Sequence, residues 1–167
     1  NNTRQFIERL LLSDRELPPT VIDADGLNTL SQVDNWWTRL PGDAILTPHP
    51  GEMGRLTENS ARNQDRVATA TTAAIKWNKT VILKGAHTVI GYPDGRAMVS
   101  PFSNPGLATA GTGDVLAGAI AGLVSQGLSL AVASTLGVYL HGLAGEQVRD
   151  TLGDTGMVAS DLLPVLP

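Results

Sequence analysis

Residues 104–114 read Asn-Pro-Gly-Leu-Ala-Thr-Ala-Gly-Thr-Gly-Asp, and residues 115–123 continue as Val-Leu-Ala-Gly-Ala-Ile-Ala-Gly-Leu. A glycine-rich loop therefore runs directly into an apolar helix, and the only charge, Asp114, lies at the junction. Glycines let backbone N–H groups face a ligand without Cβ clashes, and the start of a helix adds partial positive charge. The pattern predicts a site for phosphate or another anion.

The carboxylate of Asp114 is unexpected in a site that only binds anions, because it repels phosphate. Its presence is explained if Asp114 takes the proton from a hydroxyl group that is being phosphorylated. The alternative is that Thr112 or Asp114 simply caps the helix. Capping alone does not require the three glycines of the loop, so the sequence favours the catalytic interpretation.

The composition of the 167 residues is that of one globular domain, residues 1–167, with 42% hydrophobic residues and a net charge of −4. No basic run is present, so we expect neither nucleic acid nor an anionic membrane as a partner. The chain has no cysteine and does not open on a signal-peptide pattern, so we expect a cytoplasmic protein. Residues 115–140 are uncharged, but Gly127 interrupts them, which predicts two buried helices rather than a membrane span.

Short apolar runs alternate with helical patterns along the chain, which indicates an α/β fold with a mostly parallel sheet and helices on both faces. Strands are expected at 20–22, 44–47 and 80–83, with a hairpin at 89–92 and 97–99. Helices are expected at 2–14, 27–40 and 61–77, on both sides of Gly127, and near residue 159. The chemically distinctive motifs follow the strands, so they should meet at the carboxyl edge of the sheet. Because only about three central strands are present, we expect that the N-terminal part of the fold is missing from this chain.

Four motifs occur in one order: Asp-Ala-Asp-Gly-Leu-Asn at 23–28, Thr-Pro-His-Pro-Gly-Glu at 47–52, Lys-Gly-Ala-His-Thr at 84–88 and the glycine-rich loop at 104–118. Together they resemble the ADP/ATP-dependent NAD(P)H-hydrate dehydratases, which have a ribokinase-like fold. The second motif is the most specific, whereas the Gly-Thr-Gly-Asp element is shared across ribokinase-like kinases. The resemblance covers the C-terminal part of the family's domain.

The resemblance implies a metabolite-repair reaction, the removal of water from the S form of hydrated NADH or NADPH. The terminal phosphoryl group of ADP or ATP, with Mg²⁺, would go to the hydroxyl of the hydrate, and phosphate would then leave. Asp114 would be the catalytic base, and the amides of residues 110–113 would stabilise the transferred group. These amides belong to Ala110, Gly111, Thr112 and Gly113.

The same resemblance assigns binding roles to other residues. The adenine nucleotide would be held by Lys84, Gly85, Ala86, His87, Thr88 and Gly113. The hydrate would be contacted by His49, Asp114 and Asn28, and the missing N-terminal part of the domain and a second copy of the chain are the expected protein partners. Glu52 would position Mg²⁺ through water.

Each of these roles has a simpler alternative. Lys84 could be a solvated lysine at the end of a strand, and His49 a loop residue beside prolines. Glu52 could be an acidic residue in the first turn of a helix, and Asp23 is expected to tie its turn rather than bind substrate. At the level of function, the alternatives are a small-molecule kinase of the same fold and a non-catalytic nucleotide-binding module. A kinase would release a phosphorylated product, and a module would gain nothing from Asp114.

Overall fold

A computed structural model describes residues 2–13, 16–40, 43–57, 65–153 and 155–167. Its strands are β1 (Thr20–Ile22), β2 (Ala44–Leu46), β3 (Thr80–Leu83), β4 (Val89–Gly91) and β5 (Ala97–Val99). Its α-helices are α1 (Asn2–Leu11), α2 (Asp25–Leu30), α3 (Trp36–Arg39), α4 (Pro50–Thr57), α5 (Arg66–Trp77), α6 (Thr112–Ser125), α7 (Leu130–Leu152) and α8 (Ala159–Leu162). Short 3₁₀ helices span Pro105–Ala108 and Leu163–Val165.

The five strands form one sheet in the order β1-β2-β3-β4-β5. The first three strands are parallel, with Ile22 beside Leu46 and Leu46 beside Val81. The hairpin adds two antiparallel pairs, in which Ile82 faces Ile90. The predicted parallel core is therefore confirmed, and the hairpin makes the sheet as a whole mixed.

Helices cover both faces of the sheet, as the sequence predicts. Because successive side chains of a strand point to opposite faces, Ile45 and Ile82 belong to one buried cluster and Leu46 and Val81 to another. The first cluster is completed by residues of α6 and α7, among them Ile120. The second is completed by residues of α1 to α5, including Leu27, Met53, Trp36 and Trp77. Strands buried on both faces explain why their sequences are continuously apolar.

Three predicted helices have different bounds in the structure. The helix expected at 2–14 ends at Leu11, and residue 14 lies outside the described residues. The helix expected at 27–40 is wrong as one unit, because α2 ends at Leu30 and Asn35 adopts a left-handed φ of 51° before α3. The helix expected from residue 61 begins at Arg66, because the carboxylate of Asp65 accepts hydrogen bonds from the amides of Val67 and Ala68 and so caps α5. Residues 61–64 of that prediction lie outside the described residues.

The uncharged segment 115–140 forms two helices, as predicted. The helix α6 ends at Ser125, Gly127 takes a left-handed φ of 91°, and the side chain of Ser129 caps α7 by accepting from the amide of Val132. Within the described ranges, no helix combines the length and the apolar character needed to cross a bilayer. The interruption at Gly127 thus returns the chain along the same face of the sheet, where α6 and α7 pack together.

Candidate functional site

The carboxyl ends of β1, β2 and β3 bring three charged side chains together. The ammonium of Lys84, after β3, lies 2.7 Å from Oδ1 of Asp23, which follows β1. The same ammonium lies 3.9 Å from Oε2 of Glu52 in α4, which follows β2. The predicted meeting of the motifs at this edge is confirmed. Lys84 is not simply solvated, since its side chain is 20% exposed and ion-paired.

The N-terminus of α6 is open to a ligand. Gly111 precedes the helix with a left-handed φ of 88°, and no side chain caps the first turn. The hydroxyl of Thr112 instead donates backwards to the carbonyl groups of Leu107 and Thr109, at 2.6 and 2.8 Å. The helix-cap alternative for Thr112 and Asp114 is therefore wrong.

The amides expected to bind an anion differ in their availability. That of Thr112 donates to the carbonyl of Thr109 at 3.3 Å, so it is already used. Within the described residues, the amides of Ala110, Gly111 and Gly113 have no hydrogen-bond partner. Unpaired amides at a helix start carry partial positive charge, so these three are the ones available to a phosphate group.

Gly113 allows the start of α6 to approach the ammonium of Lys84. A Cβ atom at Gly113 would lie 3.3 Å from Nζ of Lys84 and 3.7 Å from Oδ2 of Asp23. The positive end of the helix and a lysine ammonium are therefore next to each other, which is the electrostatic arrangement that a phosphate chain requires.

Asp114 occupies the third position of α6 and is exposed. Its carboxylate makes no hydrogen bond or ion pair with any residue that the structure describes. A carboxylate with free lone pairs beside a phosphate site can accept a proton from a bound hydroxyl group.

A pocket of about 590 Å³ lies between the loop after β3, segment 100–109, α6 and α7. Its size is that of a pocket for a small molecule such as a nucleotide. Its apolar wall is formed by Phe102, Leu107, Leu116 and Val138. Six of the predicted nucleotide or anion contacts line it, namely Lys84, Gly85, Ala86, Thr88, Thr112 and Gly113, and so does His49, a predicted contact of the hydrate.

His49 and Glu52 are hydrogen-bonded to each other at the start of α4. Nδ1 of His49 accepts hydrogen bonds from the amides of Gly51 and Glu52 at 3.0 and 3.3 Å, and Oε2 of Glu52 accepts from the amide of His49 at 2.8 Å. Because Nδ1 is an acceptor, the proton of the neutral ring is on Nε2. Nε2 lies 3.4 Å from Oε1 of Glu52, and because His49 is half-exposed at the pocket, a ligand can compete with Glu52 for this donor.

Six predicted site residues do not line this pocket, namely Asn28, Glu52, His87, Ala110, Gly111 and Asp114. Oδ1 of Asn28 accepts a hydrogen bond from Nε of Arg55 at 3.0 Å, which ties α2 to α4. The ring of His87 is exposed, and its Nδ1 lies 3.1 Å from the carbonyl oxygen of Ser100. The backbone amide of His87 also donates to the carbonyl of Phe102 at 3.0 Å, so His87 joins the loop to segment 100–102.

Two buried polar side chains support the glycine-rich loop, and the sequence interpretation did not assign them a role. Nε2 of His141 in α7 donates to the carbonyl of Thr112 at 2.9 Å, and burial lowers the pKa of this histidine. The side-chain Nδ2 of Asn104 donates to the carbonyl of Gly145 at 2.8 Å, while its Oδ1 accepts from the backbone amide of Gly106. Asn-Pro-Gly is a turn pattern that could have identified Asn104. A lone histidine in an apolar helix gives no comparable signal.

The site offers oxygen donors of the kind that Mg²⁺ prefers, but not a complete cage. Within the described ranges, no three His, Cys, Asp or Glu side chains form a cluster that could hold a metal ion. Mg²⁺ is usually held by one or two carboxylates together with phosphate oxygens and water. The buried carboxylate of Glu52 beside Lys84 fits an ion that arrives with a nucleotide and is contacted through water.

Comparison with known proteins gives consistent results. Residues 1–167 match the family model described as NAD(P)H-hydrate dehydratase. The bifunctional NAD(P)H-hydrate repair enzyme Nnr of Moorella thermoacetica is 49% identical over 151 residues, which are 89% of this chain and 28% of that protein. The ADP/ATP-dependent NAD(P)H-hydrate dehydratase of Bacillus subtilis, crystallised with ATP and Mg²⁺ and soaked with CoA, has a TM-score of 0.84 at 32% identity over 98% of this chain and 58% of that one.

The fold comparison agrees with the architecture described above. A ribokinase-like superfamily protein from Enterococcus faecalis has a TM-score of 0.83 at 30% identity, over 98% of this chain and 56% of that one. The expected ribokinase-like fold is thus confirmed. The chain spans between 28% and 58% of the lengths of these relatives.

Proposed function

Because the chain belongs to the NAD(P)H-hydrate dehydratase family, we propose that it takes part in the ADP- or ATP-dependent dehydration of the S form of hydrated NADH or NADPH. The observation that carries the proposal is the start of α6. Asp114, whose carboxylate has no partner among the described residues, follows the uncapped amides and Gly113, whose Cβ position lies 3.3 Å from the ammonium of Lys84. A site that only bound phosphate would be weakened by that carboxylate.

In the first step, Asp114 accepts the proton of the hydrate's hydroxyl group. The hydroxyl oxygen then bonds to the terminal phosphorus of the nucleotide, whose bridging oxygen leaves with its electron pair. The free amides of Ala110, Gly111 and Gly113 stabilise the charge on the transferred group. Lys84 balances the charge of the phosphate chain, because its ammonium lies beside Gly113.

In the second step, the phosphorylated hydrate loses phosphate. The lone pair of the ring nitrogen moves toward the carbon that carries the phosphate, the carbon–oxygen bond breaks, and a ring proton is lost to restore the reduced nicotinamide. Phosphate is a better leaving group than hydroxide, which is the physical reason for using a nucleotide.

The proposal also assigns ligand contacts to the residues around this site. The loop of Lys84, Gly85, Ala86, His87 and Thr88 holds the nucleotide together with Gly113. His49 contacts the hydrate through its Nε2–H group, and Asn28 does so only if the ligand displaces Arg55. Glu52 would hold Mg²⁺ through water, and the bound ion would supply positive charge to the phosphate groups. We also propose that the protein is cytoplasmic and forms a homo-oligomer.

The decisive experiment supplies the hydrate and ADP, separately and together, and measures inorganic phosphate and the near-ultraviolet absorbance of reduced nicotinamide. We expect both signals only when both compounds are present. A stable phosphorylated small molecule would favour the kinase alternative. Nucleotide binding without any turnover would favour the non-catalytic module.

A further inference from the structure

Arg66, the first residue of α5, donates hydrogen bonds to carbonyl groups at the end of β3 and in the loop that follows it. Its Nη2 atom donates to the carbonyl of Leu83 at 3.0 Å and lies 3.3 Å from that of Lys84. Its Nη1 atom donates to the carbonyl of Ala86 and lies 3.4 Å from that of His87. One guanidinium group is thus within hydrogen-bonding distance of four carbonyl groups in segment 83–87.

The other surroundings of Arg66 show that these carbonyl groups are its main partners. No carboxylate of the described residues lies within ion-pair distance of its guanidinium. The side chain is partly buried, and this burial lowers the pKa of Arg66. Removing a cation from water is unfavourable unless its N–H groups find acceptors. Nε of Arg66 has none among the described residues, so the loop carbonyls that accept from Nη1 and Nη2 are what hold the guanidinium there.

The loop is shaped around this side chain. Gly85 has a φ of +144°, and a Cβ atom there would lie 2.9 Å from Nη2 of Arg66. His87 has a left-handed φ of 51°. None of the described peptide bonds is cis, so each N–H group points away from the carbonyl of its own peptide. Holding the carbonyl of Lys84 on Arg66 therefore directs the amide of Gly85 to the opposite side, where Gly85 lines the pocket.

We propose that Arg66 is a positioning residue for the nucleotide: it holds the carbonyl groups of the loop away from the pocket, so that amides and the side chains of Lys84 and Thr88 meet the phosphate and sugar groups. This inference rests on the proposed nucleotide site. Without Arg66 the loop samples other peptide orientations, and its carbonyls repel an anionic ligand. The apparent Kd then rises in inverse proportion to the fraction of molecules with the correct loop.

The test compares Arg66→Ala and Arg66→Lys with the unaltered chain and with Arg96→Ala. Arg96 is an exposed arginine of the hairpin that pairs with Asp94, so it controls for the loss of one positive charge. Calorimetry measures the Kd of ADP, and hydrogen exchange measures protection of the amides of Lys84 and His87, which donate to the carbonyls of Pro48 and Phe102. Ethylguanidinium is added to Arg66→Ala to refill the space of the lost side chain.

For Arg66→Ala we expect the Kd of ADP to rise about tenfold or more, with loss of protection at both amides and partial recovery of both with ethylguanidinium. The Kd of ADP for Arg66→Lys should lie between those of Arg66→Ala and the unaltered chain, and the Kd for Arg96→Ala should match that of the unaltered chain. In a turnover assay the KM for ADP rises while kcat at saturating ADP changes little. If folded Arg66→Ala keeps the same Kd and the same amide protection, the role of Arg66 is overturned, while the proposed nucleotide site stands. Failure of the unaltered chain to bind ADP overturns the proposed nucleotide site as well.

Discussion

Oε2 of Glu52 accepts a hydrogen bond from the backbone N–H of His49 at 2.8 Å, and Nδ1 of His49 accepts one in return from the backbone N–H of Glu52 at 3.3 Å. This reciprocal pair is a capping box in which a histidine is the N-cap, Pro50 follows it, and a glutamate is the third residue of α4. The alternative of a helix-start role for Glu52 is therefore real. It does not exclude a second role, because the same carboxylate adjoins Lys84.

The two roles of Glu52 can be separated by substitution. Glutamine also serves at this position of a capping box, so Glu52→Gln should lose less unfolding free energy than Glu52→Ala, which removes the cap as well as the charge. Because glutamine is neutral, the Mg²⁺ concentration needed for half-maximal turnover should rise about tenfold if Glu52 positions the ion. Glu52→Ala is the matched variant that loses both roles. An unaltered Mg²⁺ dependence in Glu52→Gln would leave only the structural role.

Asp114→Asn should separate catalysis from helix stability. We expect turnover to fall by about 10² or more, the usual contribution of a positioned general base. The Kd of ADP should stay the same or decrease, because a negative charge near the phosphate groups is gone. Ser129→Ala is the control, because it removes an actual N-cap, that of α7: it should cost about 1 kcal/mol of unfolding free energy and leave turnover intact. A fully active Asp114→Asn protein would rule out the proposed base.

The features that the sequence predicts well are those set by local pattern and by sheet geometry. The continuous apolar runs give the strands correctly, since residues such as Ile45 and Val81 must be buried on either face. The meeting of Lys84 with Asp23, 61 residues away, follows because the carboxyl ends of parallel strands share one edge. The glycine-rich loop before α6 is recognisable because Gly111 requires a left-handed conformation that most residues avoid.

The features that the sequence does not reveal depend on side chains reaching across the fold. The guanidinium of Arg66 contacts carbonyls 17 to 21 residues along the chain, and backbone carbonyls leave no trace in the pattern of residue types. Asn28 is paired with Arg55, although its motif suggests substrate. His49 belongs to a residue type outside the usual N-caps, so α4 is not evident from its first residues. Asn35 breaks the helix expected at 27–40 because asparagine tolerates a left-handed backbone.

Gly142 in α7 controls the position of a pocket wall. A Cβ atom there would lie 2.2 Å from Cδ2 of Phe102, which lines the pocket, so Gly142→Ala must displace the ring. We expect a loss of about 1–3 kcal/mol of unfolding free energy from overpacking and a higher Kd for ADP. Gly118→Ala in α6 is the control, because nothing lies within 4 Å of its Cβ position and alanine favours a helix by about 0.5–1 kcal/mol. Equal effects of the two variants would contradict this role of Gly142.

His141 should make the protein less stable as the pH falls. Burial, aided by the positive charge of Lys84 and opposed by the hydrogen bond to Thr112, lowers the pKa of His141 below the 6.5 of an unperturbed histidine. Below pH 6.5 the unfolded chain therefore binds a proton that the folded chain resists, so the free energy of unfolding decreases until the pH passes the lowered native pKa.

The measurement is urea unfolding at constant ionic strength, at several pH values above and below 6.5, for the unaltered chain and for His141→Gln. Glutamine can still donate to the carbonyl of Thr112 but cannot take up a proton. Carboxylates titrate in both proteins, so the difference between the two curves isolates His141. We expect this difference to be constant above pH 6.5 and to shift in favour of His141→Gln as the pH falls, with slope set by the extra proton bound by the unfolded histidine. Parallel curves across the whole range would mean that the folded protein accepts that proton as readily as the unfolded chain does, and that the contact between His141 and Thr112 does not depend on a neutral ring.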